Sequence, residues 1–276
     1  MTSSGHPTPS DASDPLRRNN VTVHGNPEGR AMMFAHGFGC DQAVWRLVAP
    51  AFAETHRLIL FDHVGSGGSD ATAYHPGKYD SLDGYAEDVL EIMDALDLED
   101  VVFVGHSVSA MIGVLAANRA PARFGALVLV SPSPRFVNDA EYIGGFELAD
   151  IMALLDSLDA NYFGWSQEFA PIIMGTPGRP ELGATLADSF CRVDPAIARH
   201  FARVTFLSDN RGDLPFVSVP TLVLQCRVDA IAPLAVGDFF HASIPGSRLS
   251  VLAATGHVPI LSAPDAVVAE IRGFAA

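Results

Sequence analysis

The chain has 276 residues, of which 49% are hydrophobic and 18% are charged, and its formal net charge is −15 at pH 7. This length suits one large domain, or one domain with a sizeable insertion, and the apolar content excludes a wholly disordered chain. The net charge disfavours nucleic acid and anionic membranes, which carry negative charge themselves, so a small neutral or apolar ligand is the better fit.

Residues 1–19 are rich in Ser, Thr, Pro and Asp and lack the apolar segment of a signal peptide, so we expect a disordered tail and a cytoplasmic protein. No apolar run reaches the roughly 20 residues that a membrane-spanning helix needs. The three cysteines, Cys40, Cys191 and Cys226, show no CxxC spacing. They predict neither a disulfide framework nor a zinc site, and no metal or other cofactor is expected.

From residue 20 onward, short apolar runs alternate with helical patterns, which predicts a mostly parallel α/β sheet with helices on both faces. The run VVFVG is typical of a central strand that is covered on both sides. The predicted strands are 21–25, 31–37, 57–62, 101–105, 125–131, 219–226 and 248–253, and the predicted helices between them are 42–52, 81–97, 109–120, 234–243 and 264–275.

Residues 132–215 interrupt this alternation with helical patterns and many aromatic side chains. We therefore predict a helical lid at 132–215, inserted into an α/β core formed by 20–131 and 216–276. Most of the aromatic residues are expected to pack the insertion onto the core, and a few would roof an apolar pocket. The pocket candidates are Phe38 of the core and Phe136, Trp165, Phe169 and Phe190 of the insertion.

The stretch FVGHSVSAMIG (103–113) places one serine between a predicted strand and a predicted helix. Gly105 and Ser109 flank Ser107 at two residues on either side, which approximates the G-x-S-x-G nucleophile elbow with serine in place of the second glycine. A sharp strand-to-helix turn of this kind exposes the serine oxygen at the carboxyl edge of the sheet. Ser107 is the predicted nucleophile.

A serine nucleophile needs a base, and the base needs an orienting acid, in the chain order Ser, acid, His for this type of fold. Asp229 follows the predicted strand 219–226 and His257 follows the strand 248–253, so both are predicted members of a catalytic triad. The competing acids Asp209 and Asp213 precede their strand instead of following it. The competing histidines, His200 and His241, lie in helical patterns and are interpreted as structural.

The oxyanion of an acyl-transfer intermediate needs backbone N–H donors, one of which should belong to the residue after the nucleophile, Val108. The second is expected from the loop HGFG (36–39) after an early strand, where Phe38 lies between two glycines that allow close backbone approach. His36 and His106 flank these motifs, and we expect them to form local hydrogen bonds and not to transfer protons.

Six stretches together resemble the RsbQ-like α/β-hydrolases, a family that includes a bacterial stress-response regulator and the plant karrikin and strigolactone receptors. The resemblance implies an α/β-hydrolase fold with a four-helix lid, a triad of Ser107, Asp229 and His257, and oxyanion donors at Phe38 and Val108. The stretches are HGFGCDQAVW (36–45), LFDHVGSGGSD (60–70), LDGYAEDVL (82–90), FVGHSVSAMIG (103–113), SPSPRFVND (131–139) and GGFE (144–147).

These residues predict a serine hydrolase of a small, mostly apolar ester or lactone, and the resemblance implies a connection to signalling. Hydrolysis of a carbon–carbon bond uses similar residues and stays open, whereas an aspartate nucleophile is disfavoured because position 107 is serine. The alternative is a ligand-sensing regulatory protein with slow or single-turnover hydrolysis. The resemblance implies that such a sensor would bind a partner protein, with a phosphatase as the bacterial case.

Overall fold

The computed structural model describes residues 14–275. Within this range the chain forms a seven-stranded sheet in the order β1-β3-β2-β4-β5-β6-β7. β1 pairs antiparallel with β3 and every other neighbouring pair is parallel, which confirms the predicted α/β class. The strands are β1 (Thr22–Gly25), β2 (Arg30–Ala35), β3 (His56–Phe61), β4 (Val101–His106), β5 (Phe124–Val130), β6 (Thr221–Val228) and β7 (Arg248–Thr255).

The central strands are buried on both faces, because successive side chains point to opposite sides of a sheet. In β2, Met32 and Phe34 join one apolar cluster, while Met33 and Ala35 join the other. All six residues of β4 are buried. This double burial is the reason why these strands are continuous apolar runs in the sequence.

Helices cover both faces of the sheet. α2, α3 and α8 share the apolar cluster of one face, and α9 and α10 share that of the other. Ser81 caps α2 by accepting a hydrogen bond from the amide of Asp83, as its position predicts. The helices are α1 (Pro15–Arg18), α2 (Leu82–Ala95), α3 (Val108–Arg119), α4 (Leu148–Ala160), α5 (Tyr162–Met174), α6 (Pro180–Phe190), α7 (Pro195–Leu207), α8 (Leu234–Ser243), α9 (Pro259–Ser262) and α10 (Pro264–Ala275).

Four helices, α4 to α7, lie between β5 and β6, inside the stretch 132–215 that the sequence marks as an insertion. Most of their buried apolar residues belong to the same cluster as one face of the sheet, whereas Phe201 of α7 joins the cluster of the other face, so the insertion and the core pack together. Residues 131–147 contain no helix in the structure and instead form turns with a bridge between Val137 and Phe146. Asn161 separates α4 from α5 because its side chain accepts the amide of Gly164 and caps the second helix.

The structure differs from the sequence prediction at two places near the amino terminus. Residues 1–13 of the predicted tail lie outside the described residues, but Pro15–Arg18 forms α1 and is anchored by Arg18, which donates to buried Asp88 at 2.9 Å. The predicted helix 42–52 is instead two 3₁₀ segments, Gln42–Leu47 and Ala49–Phe52. An α-helix there would need an N–H at residue 50, which is proline.

Within residues 14–275, no helix combines the length and the apolar character needed to span a membrane.

Candidate active site

Ser107 lies in the turn between β4 and α3 with a strained backbone, φ 56° and ψ −122°. Its amide donates to the carbonyl of Val130 at 2.8 Å, which holds the turn against β5. Gly105 is required on the approach, because a β-carbon there would lie 2.4 Å from the carbonyl oxygen of Ser109. The positive φ of a non-glycine residue at a strand-to-helix turn is the geometry of a nucleophile elbow.

The structure brings Ser107, His257 and Asp229 together. Nε2 of His257 lies 2.8 Å from Oγ of Ser107, and Nδ1 of the same ring lies 2.8 Å from Oδ2 of Asp229. The other oxygen of Asp229 accepts the amides of Ile231 and Ala232 at 2.8 and 3.1 Å. Because an ionised carboxylate only accepts, Nδ1 carries the proton and Nε2 is free to accept from the serine hydroxyl.

The competing acid Asp209 and the competing histidines make other contacts. Asp209 pairs with Arg135 and Arg211, and the hydrogen bonds from Arg211 lower the pKa of its carboxyl to about 2. Nδ1 of His200 lies 2.7 Å from the hydroxyl of Tyr74. His241 contacts the hydroxyl of Ser247 through Nδ1 at 3.1 Å, and these two imidazoles are therefore engaged in the structural contacts that the sequence suggests for them.

We define the oxyanion loop as residues 36–39, which follow β2 directly. The amide of Cys40 donates to the carbonyl of Gly37 at 3.2 Å, closing a tight turn in which Gly39 has φ 71°. A β-carbon at Gly37 would lie 3.2 Å from Cβ of Ser107, so the loop passes directly beside the serine. Val108 is the first residue of α3, where a helix leaves its N–H groups without intrahelical acceptors.

His106 holds the backbone of His257 in place. Its Nε2 donates to the backbone carbonyl of His257 at 2.8 Å, which is the local hydrogen bond predicted for this residue. Burial, followed by the neighbouring His257 ring, lowers the pKa of His106 to about 3, so its imidazole is neutral at ordinary pH. A neutral donor can hold the His257 loop without adding charge next to the ring that would receive the serine proton.

An apolar cavity opens above Ser107, between the sheet edge and the inserted helices. Three of the five predicted pocket aromatics line this cavity, namely Phe38, Phe136 and Phe190. Trp165 and Phe169 do not line it, because Trp165 stacks on Phe190 with ring centroids 5.7 Å apart and on Phe169 at 5.1 Å. The full lining is Phe38, Cys40, His106, Ser107, Phe136, Ile173, Leu186, Phe190, Thr205, Phe206, Ile231, His257 and Val258.

Several lining residues are not among the sequence predictions. Phe206 packs 6.0 Å from Phe38 and 5.1 Å from Phe136 between ring centroids. Thr205 is buried, and its hydroxyl has no hydrogen-bond partner within the described part of the chain. The buried positions 198, 201, 202 and 205 of α7 follow helical periodicity, so the sequence carries a signal for this face but not for its orientation over the cavity.

Cys40 also lines the cavity, and burial raises the pKa of its thiol to about 12. The thiolate is therefore disfavoured, and the side chain acts as a small apolar group in the wall.

The carboxyl end of α5 contacts the loop that carries His257. The amide of His257 donates to the carbonyl of Ile173 at 2.8 Å, which satisfies one of the last carbonyls of the helix. A β-carbon at Gly256 would lie 1.9 Å from the carbonyl oxygen of Met174, so the two backbones touch. The inserted helices and the histidine of the site are thus joined by a direct backbone contact.

Comparisons with known proteins agree with this architecture. A family model described as alpha/beta hydrolase fold matches residues 30–264. The chain is 37% identical to the karrikin insensitive 2 receptor CA of Petunia hybrida, over 90% of this chain and 92% of the relative. It is also 37% identical to the strigolactone esterase D14 of Arabidopsis thaliana, over 92% of this chain and 94% of the relative.

The solved structure of a hydrolase from Oleispira antarctica superposes with a TM-score of 0.92 at 39% identity, covering 96% of this chain and 97% of that one. The family match, the sheet topology and the two plant relatives all indicate an α/β hydrolase. The chain belongs to the α/β hydrolase family, and within that family to the group that contains these karrikin and strigolactone proteins.

Proposed function

We propose that the chain is a serine hydrolase that cleaves a small, mostly apolar ester or lactone. The observation that carries this proposal is the continuous contact of Ser107, His257 and Asp229, with 2.8 Å at each step, beneath an apolar cavity. The names of two relatives agree with the reaction class, since one is a strigolactone esterase and one a pimeloyl-[acyl-carrier protein] methyl ester esterase.

The proposed reaction has two halves. Ser107 attacks the carbonyl carbon while Nε2 of His257 takes the hydroxyl proton, and Asp229 stabilises the imidazolium that forms. The N–H groups of Phe38 and Val108 hold the oxyanion. The imidazolium then gives its proton to the departing alkoxide, so that the acyl group stays on Ser107. A water molecule, deprotonated by Nε2 of His257, then attacks the acyl carbon. The bond from that carbon to Oγ of Ser107 breaks, the imidazolium returns its proton to Oγ, and the carboxylic acid leaves.

The cavity lining suggests the substrate class. Most of its wall is aliphatic or aromatic, which favours an apolar acyl or alcohol portion. The unpaired hydroxyl of Thr205 favours one further polar atom in the substrate, away from the reacting carbonyl, because a buried hydroxyl gains from a hydrogen-bond partner. An ester or lactone that carries an ether oxygen or a hydroxyl in an otherwise apolar frame meets both conditions.

The four inserted helices are the proposed lid of this site, within the predicted limits 132–215. Their residues Ile173, Leu186, Phe190 and Phe206 would exclude water from the acyl-serine and select substrates by shape. The predicted cytoplasmic location belongs to the same proposal, and fractionation of cells that express the chain would test it.

The test of the nucleophile compares the chain with Ser107→Ala, using p-nitrophenyl acetate and a fluorophosphonate that labels active serines. We expect hydrolysis by the unsubstituted chain and a fall in kcat of at least about 1000-fold in the variant, since serine attack is lost. Mass spectrometry should find the label on Ser107. Substantial hydrolysis by Ser107→Ala, or a label on another serine, would reject this assignment.

A second candidate is a ligand-sensing regulatory protein whose hydrolysis is slow or limited to one turnover. Two observations favour it: relatives carry the name karrikin insensitive 2 receptor, and the amide of His257 is bonded to Ile173 of α5. A covalent adduct at the triad would then shift His257, and through this hydrogen bond it would shift α5 and the other inserted helices. The inserted helices would present a changed surface to a protein partner such as a phosphatase.

Turnover number and lid dynamics separate the two candidates. A metabolic enzyme releases many product molecules per chain, and hydrogen–deuterium exchange of the backbone amides in α4 to α7 is the same before and after the reaction. A sensor releases close to one product molecule per chain and keeps an altered exchange pattern in these helices.

A further inference from the structure

Ser109 stands where the elbow pattern has glycine, and its side chain is fully buried. Its Oγ donates a hydrogen bond to the backbone carbonyl of His36. The same oxygen lies 2.7 Å from Nε2 of His63. Three segments that are distant in the chain, the loops after β2 and β3 and the first turn of α3, therefore meet at one hydroxyl group.

The direction of these hydrogen bonds follows from the groups involved. A carbonyl oxygen only accepts, so the single proton of the Ser109 hydroxyl points at His36. The proton between Ser109 and His63 must then come from Nε2 of His63. Burial and the neighbouring His36 ring hold the pKa of His63 well below its ordinary value, so this ring is neutral with one proton. Its Nδ1 has no partner within residues 14–275, which agrees with a proton on Nε2.

The ring of His36 holds the next peptide of the loop. Its Nδ1 donates to the carbonyl of Gly37 at 2.9 Å, and its Nε2 accepts the backbone N–H of His63 at 3.1 Å. The carbonyl of Gly37 and the N–H of Phe38 belong to the same planar peptide and point in opposite directions. Fixing the Gly37 carbonyl therefore fixes the direction of the Phe38 N–H.

Two consecutive peptides of the oxyanion loop are thus anchored by side chains that all lie at 0% exposure: His36, His63 and Ser109. A glycine at position 109 would complete the elbow but would leave the His36 carbonyl and the His63 donor without their shared partner. Leaving buried polar groups unpaired is costly, so the serine takes over a contact that glycine cannot make.

We propose that Ser109 and His63 are positioning residues that hold the oxyanion loop against the nucleophile and aim the N–H of Phe38 at the developing oxyanion. This inference rests on the proposed hydrolase function. Its physical basis is that an oxyanion donor acts only within hydrogen-bonding distance of the charge that forms, so a loosely held loop forfeits part of the stabilisation.

The central experiment compares Ser109→Ala with Ser166→Ala. Ser166 is the matched control, because it is also fully buried and donates to a backbone carbonyl, that of Tyr162 at 2.8 Å, but both partners of this bond lie in α5. For p-nitrophenyl acetate we expect Ser109→Ala to lower kcat roughly 10- to 100-fold with little change in KM, because the lost interaction belongs to the transition state. Ser166→Ala should stay within about twofold of the unsubstituted kcat.

Phenylboronic acid supplies a readout that a purely structural role would not move. Its tetrahedral adduct with Ser107 places an oxygen in the oxyanion hole, so its affinity should fall in parallel with kcat/KM in Ser109→Ala and stay unchanged in Ser166→Ala. His63→Phe keeps an aromatic ring among its neighbours and leaves the bond from Ser109 to His36 in place, so its loss should be smaller. The double variant Ser109→Ala/His63→Phe should lose no more than Ser109→Ala alone, as expected for residues that act as one unit.

Each outcome supports or overturns the positioning role of Ser109 and His63. If Ser109→Ala has the kcat and boronate affinity of the control, in a chain that remains active, the positioning role is overturned and the hydrolase function stands. Equal losses in both serine variants overturn the positioning role as well. A chain that neither hydrolyses the ester nor is labelled at Ser107 overturns the hydrolase function and the positioning role together. If Ser109→Ala does not fold, Ser109→Gly and His63→Phe carry the same comparison.

Discussion

Thr205 illustrates at the residue scale how burial without a partner marks a candidate for substrate recognition. The side chain lines the cavity from α7, and its residue is 2% exposed. Around it the wall is formed by Phe206, Phe136 and other apolar groups that offer no hydrogen bond. Native proteins pair nearly all buried hydroxyl groups, so an unpaired one in a ligand cavity is best explained by a ligand atom.

Thr205→Val tests this explanation with almost no change in side-chain volume. Because the hydroxyl has no hydrogen-bond partner among residues 14–275, its removal should raise the free energy of unfolding, by about 1 kcal/mol, in urea denaturation. Hydrolysis of p-nitrophenyl acetate should stay within about threefold, whereas the preference for an ester with a remote hydroxyl over its apolar analogue should fall by roughly tenfold. A less stable variant would mean that the hydroxyl is paired within the chain.

The residue scale is also where prediction from the sequence was least complete. Ser107, Asp229 and His257 were identifiable because each follows a strand at the sheet edge, and the structure brings their side chains into contact, while their catalytic roles stay predictions. The contacts of Ser109 with His36 and His63 were not, since they join segments that are 73 and 46 residues apart in the chain. A short sequence motif does not predict a contact between segments that are so far apart in the chain.

At the scale of elements, every strand was predictable to within about two residues at both ends. For the central strands the reason is burial on both faces, which leaves continuous apolar runs. Helix faces were harder to predict. Trp165 and Phe169 are aromatic, as pocket residues often are, yet Trp165 stacks on Phe190 and Phe169 stacks on Trp165, outside the cavity. The docking of α5 on its neighbours, and not the sequence of α5, decides which of its faces lines the cavity. The break at Pro50 shows the opposite case, in which one residue type overrides a helical pattern.

The contact between α5 and the His257 loop yields a prediction at this scale. Gly256 has φ 93°, and a β-carbon there would lie 1.9 Å from the carbonyl of Met174, so Gly256→Ala must push the loop and the helix apart. We expect a loss of about 2–4 kcal/mol in the free energy of unfolding, and a fall in kcat that exceeds any change in KM, since His257 is the next residue.

Gly246→Ala is the matched control for this change. Gly246 also has a positive φ, 71°, but apart from its chain neighbours no atom of the described residues lies within 4 Å of the position of its β-carbon. This variant should lose about 1 kcal/mol through backbone strain alone and keep its kcat. Both measurements use urea denaturation and the p-nitrophenyl acetate assay. Similar kcat values in the two variants would contradict a coupling between α5 and the site.

At the scale of the whole molecule, the two segments that connect the inserted helices to the core are tied to each other. The amide of Asn210 donates to the carbonyl of Pro134 at 2.8 Å. Beside this backbone contact, Arg211 bonds to Asp209 at 2.7 Å and to Asp139 at 2.9 Å. Arg135 of the entering segment pairs with Asp209 of the leaving one. These contacts join the entering and leaving segments at one junction, in addition to the packing of the insertion on the core and its backbone contact with the His257 loop.

Asp209→Asn should loosen this junction without unfolding the core. The carboxylate is partly exposed and screened by solvent, so we expect the free energy of unfolding to fall by less than about 1 kcal/mol. Hydrogen–deuterium exchange of the backbone amides in α4 to α7 should become faster. The control is Glu270→Gln, which removes another partly exposed ion pair, that with Arg248, between α10 and β7 of the core. Faster exchange in α4 to α7 in both variants would show that the junction has no special part in holding the insertion.

The pH dependence of the free energy of unfolding tests whether the charge of Asp209 accounts for its contribution to stability. Because hydrogen bonds from Arg211 lower the pKa of Asp209 to about 2, the folded chain favours the ionised carboxylate. Its contribution to stability is therefore complete above the ordinary aspartate pKa of about 4 and is lost as the pH falls towards 2. The stability difference between the unsubstituted chain and Asp209→Asn should shrink over that window and stay constant between pH 5 and 8. A difference that persists unchanged at pH 2 would mean that packing, and not charge, accounts for the effect of Asp209.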